Sequence, residues 1–114
     1  MNPHDAPSTG ELIESVREWL ERDVLAATEG RLQYHTRVAI NVLSIVEREL
    51  AVGPAHDAAH RERLETLGVA DDAELAAAIR SGALDDRIDE VRALVWQSVR
   101  DKLAVANPKY LSSP

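Results

Sequence analysis

The chain has 114 residues, enough to enclose one hydrophobic core, so we expect a single helical domain over residues 1–114. It contains no cysteine, which excludes disulfides, iron–sulfur clusters, cysteine-ligated zinc and thiol nucleophiles. The formal net charge of −7, with basic residues interspersed among acidic ones, argues against binding to nucleic acid or to an anionic membrane surface. The N-terminus is unlike a signal peptide, and no run approaches the ~18 apolar residues of a membrane span. We therefore expect a cytoplasmic protein, and nothing in the composition predicts a cofactor.

Two long amphipathic helices are predicted in the first half of the chain. The first begins with a capping box, in which Ser8 and Glu11 bond each other's backbone, and ends by Gly30. The second runs from about residue 31 to residue 52, where Gly53 and Pro54 should end it. Apolar residues recur at helical spacing in both helices: Leu12, Ile13, Val16, Trp19, Leu20 and Val24 in the first, and Leu32, Val38, Ala39, Val42, Leu43, Val46 and Leu50 in the second.

Three further helices are predicted in the second half. A short helix follows Pro54 and ends at Gly68, and we expect it near the surface because it has few apolar residues. Another short helix begins at Asp71 or Asp72 and ends at Gly82. A long helix covers about residues 85–106 and ends at the Asn-Pro pair. The first of these carries Ala58, Leu64 and Leu67. In the next, the residues expected to face inward are Leu75, Ala78 and Ile79. In the last, one face is shared by Ile88, Val91, Leu94, Val95, Val99 and Leu103.

The absence of any extended alternating pattern predicts an all-α bundle of about five helices, three long and two short. Residues 1–7 and 111–114 are expected to be loosely ordered. A bundle this small should leave part of an apolar stripe exposed, which favours a homodimer with a long helix in its interface.

The most motif-like segment is HDAAH, residues 56–60. His56 and His60 lie four residues apart on one helical face, which is a metal-ligand spacing. The segment resembles the zinc-protease pattern His-Glu-x-x-His, but Asp57 stands where that pattern has its glutamate base, and no third ligand follows. We expect two solvated histidines on a surface helix and no tightly bound metal ion.

Two acidic pairs, Asp71-Asp72 and Asp85-Asp86, precede predicted helices, so N-terminal capping accounts for them better than acid–base catalysis does. No phosphate loop, nucleophile elbow or Ser/His/Asp arrangement is recognisable in the sequence.

A polar stripe borders the apolar face of the second helix. It comprises residues at spacings of four, three and four, namely Arg37, Asn41, Ser44 and Arg48. Such a stripe can bind a partner protein, and we take Arg37, Asn41 and Arg48 as interface candidates. Pairing with acidic groups on a neighbouring helix is the alternative.

Each long helix also places one ionisable group, Asp23, His35 or Lys102, within its apolar arc. An unpaired buried charge is costly, so these groups should meet. If the fifth helix runs antiparallel to the second, they gather at one end of the bundle; a parallel fifth helix would instead place Lys102 near Glu47 or Glu49. The cluster is either a structural staple or a binding site for a ligand or partner, and its candidate members are Asp23, Arg31, Tyr34, His35, Lys102, Asn107 and Tyr110.

Three segments carry a resemblance to a known family: ERDVL (21–25), GRLQYHTRVAINVLSIVEREL (30–50) and KLAVANPKY (102–110). They resemble a small bacterial family of all-helical domains of unknown function. The resemblance implies a gene beside, or fused to, an aminoglycoside-phosphotransferase-like kinase, near acyl-CoA dehydrogenases. It implies no catalytic residues.

The sequence therefore favours a non-catalytic accessory or interaction module that works with a phosphotransferase-like kinase. A small-ligand-binding domain, or an enzyme using the inward polar groups, is the alternative. A metal protein using His56 and His60 is a third interpretation.

Overall fold

The structure, a computed structural model, describes residues 6–112 and is helical almost throughout, without strands in that range. The predicted all-α class is confirmed. In chain order the elements are α1 (Thr9–Trp19), a π-helical segment (Leu20–Val24), α2 (Leu25–Ala27), α3 (Gly30–Thr66), α4 (Asp72–Ser81), a 3-10 turn (Asp85–Arg87), α5 (Ile88–Ala106) and α6 (Pro108–Ser112).

The chain divides after Gly53 into two compact units, which we call the first and second units. The predicted single-domain organisation stays a prediction. The expectation of loose order at residues 1–7 and 111–114 falls largely outside the described residues, and residues 111 and 112 complete α6.

The helix break predicted at Gly53 and Pro54 is wrong, because α3 continues through Pro54 to Thr66. A proline inside a helix removes one backbone hydrogen bond and strains the preceding turn, at a cost of about 3 kcal/mol. The helix carries alanines on both sides of the proline, at positions 51, 55, 58 and 59, and alanine is the strongest helix former. Helix-forming neighbours and continued bonding on either side therefore outweigh the local signal.

The first unit pairs α1 with the N-terminal part of α3. An ion pair joins Arg17 Nε to Glu47 Oε1 at 2.8 Å between the two helices. Near the connection, the Gln33 side-chain amide donates to the carbonyls of Leu25 and Thr28 at 3.2 and 2.9 Å. Because only a short connection separates the helices, they run antiparallel. Among the described residues of this unit no apolar side chain is fully buried.

The second unit has a hydrophobic core where the C-terminal part of α3 meets α4 and α5. Its buried members are Leu64, Leu67, Leu75, Leu84 and Val91, with Val69, Ala78 and Leu94 packed against them. The surface position predicted for the segment after Pro54 is therefore wrong: Leu64 and Leu67 are only 6% and 4% exposed. Two leucines on the same helical side are enough to bury that side when two other helices cover it.

Local capping predictions are confirmed at α1 and α4. The Glu11 amide donates to Ser8 Oγ at 3.1 Å, and the Ser8 amide donates to Glu11 Oε1 at 3.2 Å. Asp71 accepts from the Glu74 amide at 2.8 Å at the start of α4. Gly82, with φ of 83°, ends α4 in the left-handed conformation that glycine adopts without strain.

The capping prediction for Asp85 and Asp86 is wrong. Neither the 3-10 turn nor α5 has a side-chain capping bond at its start. The chain enters α5 through the 3-10 turn that follows the buried Leu84, so these carboxylates lie within the turn instead of at the cap position. Arg87 holds this junction, donating to the Thr66 carbonyl at 3.0 Å and pairing with Glu90 at 2.8 Å.

No helix within residues 6–112 is both long enough and apolar enough to cross a membrane.

Candidate functional sites

The first unit leaves one side of its helix pair apolar and exposed. We call this the apolar face; its members are Leu12, Val16 and Trp19 on α1 and Val38, Val42 and Leu50 on α3. All six belong to the stripes that the sequence places inward, and Trp19 remains 55% exposed. The sequence thus identified the apolar residues but not which part of each arc the unit buries.

Helix geometry places both halves of the apolar face on the same side of the pair. Arg17 on α1 and Glu47 on α3 are largely buried where the two helices meet. At ~100° per residue, the exposed apolar residues of α1 lie on average roughly 130° around the helix from Arg17, and those of α3 lie roughly 130° around the helix from Glu47. Viewed down each helix from its N-terminus, the direction of rotation is the same. Because the helices are antiparallel, the same sense on each helix directs both sets to one side. The exposed apolar residues of α1 and α3 therefore lie on the same side of the helix pair.

The predicted polar cluster has its first-unit members on the surface. Asp23 is exposed in the π-helical segment, and His35 is exposed beside the apolar face. Arg31 Nε donates to His35 Nε2 at 3.4 Å, and the Tyr34 and His35 rings meet edge-to-face with centroids 5.4 Å apart. The inward placement predicted for Asp23 and His35 is therefore not seen within the first unit. Arg31, Tyr34 and His35 are brought together.

The second-unit members of the predicted cluster follow one another along the chain's last helices. Lys102 is exposed on α5, so its predicted inward placement is not seen within this unit either. Asn107 ends α5, its amide donating to the Leu103 carbonyl at 2.8 Å, and Tyr110 is exposed on α6. Whether these residues meet Asp23 and His35 stays a prediction.

The interface candidates lie along α3 in the first unit. Arg37 and Asn41 are exposed, and Arg48 is half-buried. Ser44, of the same stripe, donates its hydroxyl to the Ile40 carbonyl at 2.9 Å. Their use as an interface stays a prediction.

The HDAAH segment differs most from its sequence interpretation. His60 is not a solvated surface histidine: its Nδ1 lies 2.7 Å from Ser98 Oγ and its Nε2 lies 2.7 Å from Asp72 Oδ1. Arg63 donates to the same Ser98 oxygen at 2.9 Å and to Asp101 Oδ2 at 3.0 Å. We call these five side chains the His60 network. It joins α3, α4 and α5 within the second unit.

His56 is also half-buried, with its Nε2 3.8 Å from Asp101 Oδ1. Both histidines of HDAAH therefore face carboxylates instead of sharing a common coordination point. Among residues 6–112, no group of three or more His, Cys, Asp or Glu side chains is arranged to hold a metal ion. The predicted absence of tight metal binding at His56 and His60 stays a prediction, which elemental analysis after a chelator wash would check.

A small open pocket adjoins the His60 network. It is shallow, with a volume of about 10 Å³, and is lined by His60, Arg63 and Ser98 together with Leu64, Leu67, Leu75, Leu94 and Val95. Its lining thus combines three side chains of the network with apolar residues of the second unit.

The Ser98–His60–Asp72 arrangement was not recognisable from the sequence. Ser98 lies 38 residues after His60 in the chain, and Asp72 lies 12 residues after it. Helical register could have indicated Ser98, because it lies on the same side of α5 as the inward residues Val91 and Leu94. The sequence does not single out Asp72, because it directly follows Asp71 and helix capping accounts for the pair.

Comparison with known families identifies the chain's relatives. Residues 26–110 match the family described as a domain of unknown function, DUF6285, so the chain belongs to that family. The match includes the segments 30–50 and 102–110 and confirms that the resemblance is to a family of unknown function. No curated protein matches the chain, and no solved structure does.

Proposed function

We propose that the first unit of this member of the DUF6285 family is a non-catalytic accessory module, which binds a partner protein through its apolar face. The observation that supports this proposal most strongly is the burial pattern of the first unit. Six large apolar side chains are exposed on one side of the helix pair, while no apolar side chain among the unit's described residues is fully buried. Contiguous exposed apolar surface typically marks an interface.

The composition of the apolar face suits a protein partner. Trp19 supplies a rigid aromatic anchor, the residue type that most often dominates binding energy. The other members of the face are the branched aliphatic residues leucine and valine. Arg37 and Asn41 are exposed on α3, but at ~100° per residue they lie on the other side of that helix and are not part of the apolar face.

The partner we propose is the phosphotransferase-like kinase implied by the family resemblance. The module would act with it in the cytoplasm, in acyl-CoA or related small-molecule metabolism. The genetic neighbourhood supplies the argument for this particular partner.

The test compares two half-exposed tryptophans. Trp19 lies on the apolar face and is 55% exposed, whereas Trp96 lies on α5 in the second unit and is 50% exposed. In a pull-down from the native host and in calorimetry with the purified kinase, Trp19→Ala should weaken binding at least about tenfold. Trp96→Ala is the matched control and should leave binding within about twofold of wild type.

Equal losses from the two variants, or no capture of the kinase by the wild-type chain, would contradict this proposal. Circular dichroism of both variants ensures that a loss reflects the surface and not unfolding.

A second copy of the chain is the other occupant we consider for the apolar face, in line with the predicted homodimer. A long helix, α3, would then contribute Val38 and Val42 to the interface. Light scattering at high protein concentration tests this: a dimer mass that Val42→Asp returns to monomer supports it, and a monomer mass for the wild type refutes it.

A ligand site near Asp23 is the second candidate function. One specific observation favours it: Asp23 lies in a π-helical segment, and π-helical turns occur frequently at functional sites. Arg31, Tyr34 and His35 form a group of their own at the start of α3. Ligand-detected NMR against a metabolite set tests this candidate, with His35→Ala expected to abolish any signal in a protein that remains folded.

A further inference from the structure

The chemistry of the groups in the His60 network determines which atom donates in each hydrogen bond. The Asp72 carboxylate only accepts, so His60 Nε2 carries the proton that lies between them at 2.7 Å. In the neutral ring Nδ1 is then an acceptor, and Ser98 must donate its single hydroxyl hydrogen to it at 2.7 Å. The serine hydroxyl therefore faces a base whose tautomer a carboxylate fixes, as in the general Ser-His-Asp arrangement.

Arg63 supplies positive charge at the serine oxygen. Its Nη1 donates to Ser98 Oγ at 2.9 Å while Asp101 Oδ2 holds the same nitrogen at 3.0 Å. The Arg63 side chain is only 17% exposed, so little water screens it. A guanidinium in this position stabilises negative charge as it develops on the oxygen atoms of a reacting group.

The adjoining pocket is shallow and open to solvent, with a volume of about 10 Å³, and its lining includes Ser98, Arg63 and leucines of the core. A depression of this size holds about one water molecule and does not enclose a ligand. The methyl group of an acetyl ester can lie against the leucines at its mouth, with the carbonyl carbon near Ser98 and Arg63 and the rest of the ester in solvent.

We propose that Ser98 is a nucleophile that accepts acyl groups from activated esters of short-chain carboxylic acids. This activity is independent of the partner-binding role of the first unit, since every residue involved lies in the second unit. His60 acts as general base, Arg63 faces the developing oxyanion, and Asp72 is a positioning residue that orients the imidazole.

The step balances without a further reactant. Ser98 Oγ forms a bond to the ester carbonyl carbon as its proton moves to His60 Nδ1. The bond from that carbon to the leaving oxygen then breaks, and His60 returns the proton to the departing alcohol or phenol. Water, deprotonated by His60, later attacks the acyl-serine and releases the carboxylic acid and the free Ser98.

Ser98 lies within α5, where the helix uses the neighbouring backbone amides for its own hydrogen bonds. Arg63 is thus the donor available for the oxyanion in this arrangement. We therefore expect slow turnover and an acyl-enzyme that accumulates, so the sensitive readout is acylation of the serine.

The experiment incubates the full chain with p-nitrophenyl acetate, follows release of nitrophenolate, and locates the acetyl group by peptide mass spectrometry. Acetylation at Ser98 should exceed that at Ser81, an exposed serine of α4, by at least about a hundredfold. Ser98→Ala should abolish the burst, His60→Ala should slow it by at least about a hundredfold, and Ser81→Ala, the matched control, should not change it.

Substitution of Asp72 should not disturb the hydrophobic core, because its side chain is 79% exposed. Asp72→Asn should slow acylation about tenfold and Asp72→Glu should restore most of the rate, whereas a purely structural tie would change the melting temperature without changing the reactivity of Ser98. Acetylation of Ser98 no faster than that of Ser81, or a rate unaffected by His60→Ala in a folded protein, would overturn the proposal.

Discussion

The two units of this chain contain helices of similar amphipathic character but bury them to very different extents. In the second unit three helices meet, and Leu64, Leu67, Leu75, Leu84 and Val91 form a buried cluster. In the first unit two helices meet, and residues of the same type, such as Val16 and Val42, stay about half-exposed. Two helices can bury only the strip between them, whereas a third helix covers the remaining side. Amphipathic pattern therefore specifies which residues can be buried, and the number of neighbouring helices decides which of them are.

This difference assigns different energetic roles to the two units. Burial of apolar area is the largest favourable term in folding, and the second unit has it within its own boundary. The first unit relies more on its ion pair, its capping box and side-chain bonds at the connection. The apolar face is not buried within the first unit, so its burial does not contribute to the folding of that unit. We expect burial of this face by a partner to contribute that free energy to binding.

The largest expected effect is on the second-unit core. Leu67→Ala should lower the free energy of unfolding by about 2–5 kcal/mol, because Leu67 is only 4% exposed and its removal leaves a cavity. Val42→Ala on the apolar face is the comparison variant and should cost less than about 1 kcal/mol. Chemical denaturation of both variants measures the difference, and equal costs would remove the distinction between the units.

The next effect concerns the ion pair that joins the helices of the first unit. Arg17 and Glu47 are largely shielded, and the hydrogen bond to Glu47, followed by that to Glu21, raises the pKa of Arg17 above its usual range. Arg17→Met should lower the free energy of unfolding by about 1–2 kcal/mol. The control is Arg22→Met, since Arg22 lies 3.7 Å from Glu18 and is mostly exposed; its change should be below about 0.5 kcal/mol. If Arg22→Met costs as much as Arg17→Met, the pairing of the two helices does not depend on this contact.

A smaller effect on stability distinguishes Asp71, whose side chain caps a helix, from Asp86, which precedes a helix without capping it. Asp71→Ala should cost about 1 kcal/mol because the Glu74 amide loses its acceptor. Asp86→Ala should cost less than about 0.5 kcal/mol, since no side-chain bond caps α5. Thermal unfolding of the pair measures both, and a larger loss from Asp86→Ala would contradict the described start of α5.

The smallest expected effect is a pH dependence at the start of α1. The hydrogen bonds that Ser8 makes to Glu11 lower the pKa of this carboxyl below its ordinary value of 4.5. Its contribution to stability is therefore present above pH 4.5 and is lost as the pH falls through the lowered folded-state pKa. The α1 amide resonances in NMR should show the start of the helix fraying in that acidic range. Glu11→Gln should remove this dependence, and fraying that is unchanged in the variant would assign it to another group.

Local signals were the part of this fold that the sequence could predict. The Ser8–Glu11 box, the Asp71 cap and the Gly82 helix end each involve groups within four residues, so short-range geometry decides them. The persistence of α3 through Pro54 could not be predicted in this way, because it depends on the stability of the helix on both sides of the proline.

The candidate sites show the same division. Spacing within HDAAH drew attention to His60, but its bonds to Asp72 and Ser98 depend on how α3, α4 and α5 are placed in space. Trp19 and Val42 were correctly assigned to apolar arcs, yet their exposure depends on the number of helices around them. Periodicity identifies the apolar arc of each helix, and tertiary contacts decide which residues of that arc are buried.

Native-state hydrogen exchange tests the central claim most directly, because it reports opening free energies residue by residue in the intact chain. We expect amides in α1 and in the N-terminal part of α3 to exchange through lower-energy openings than amides around Leu67, Leu75 and Val91, and we expect a bound partner to raise the protection of the first set. Equal protection of the two units in the chain without partner would contradict the account.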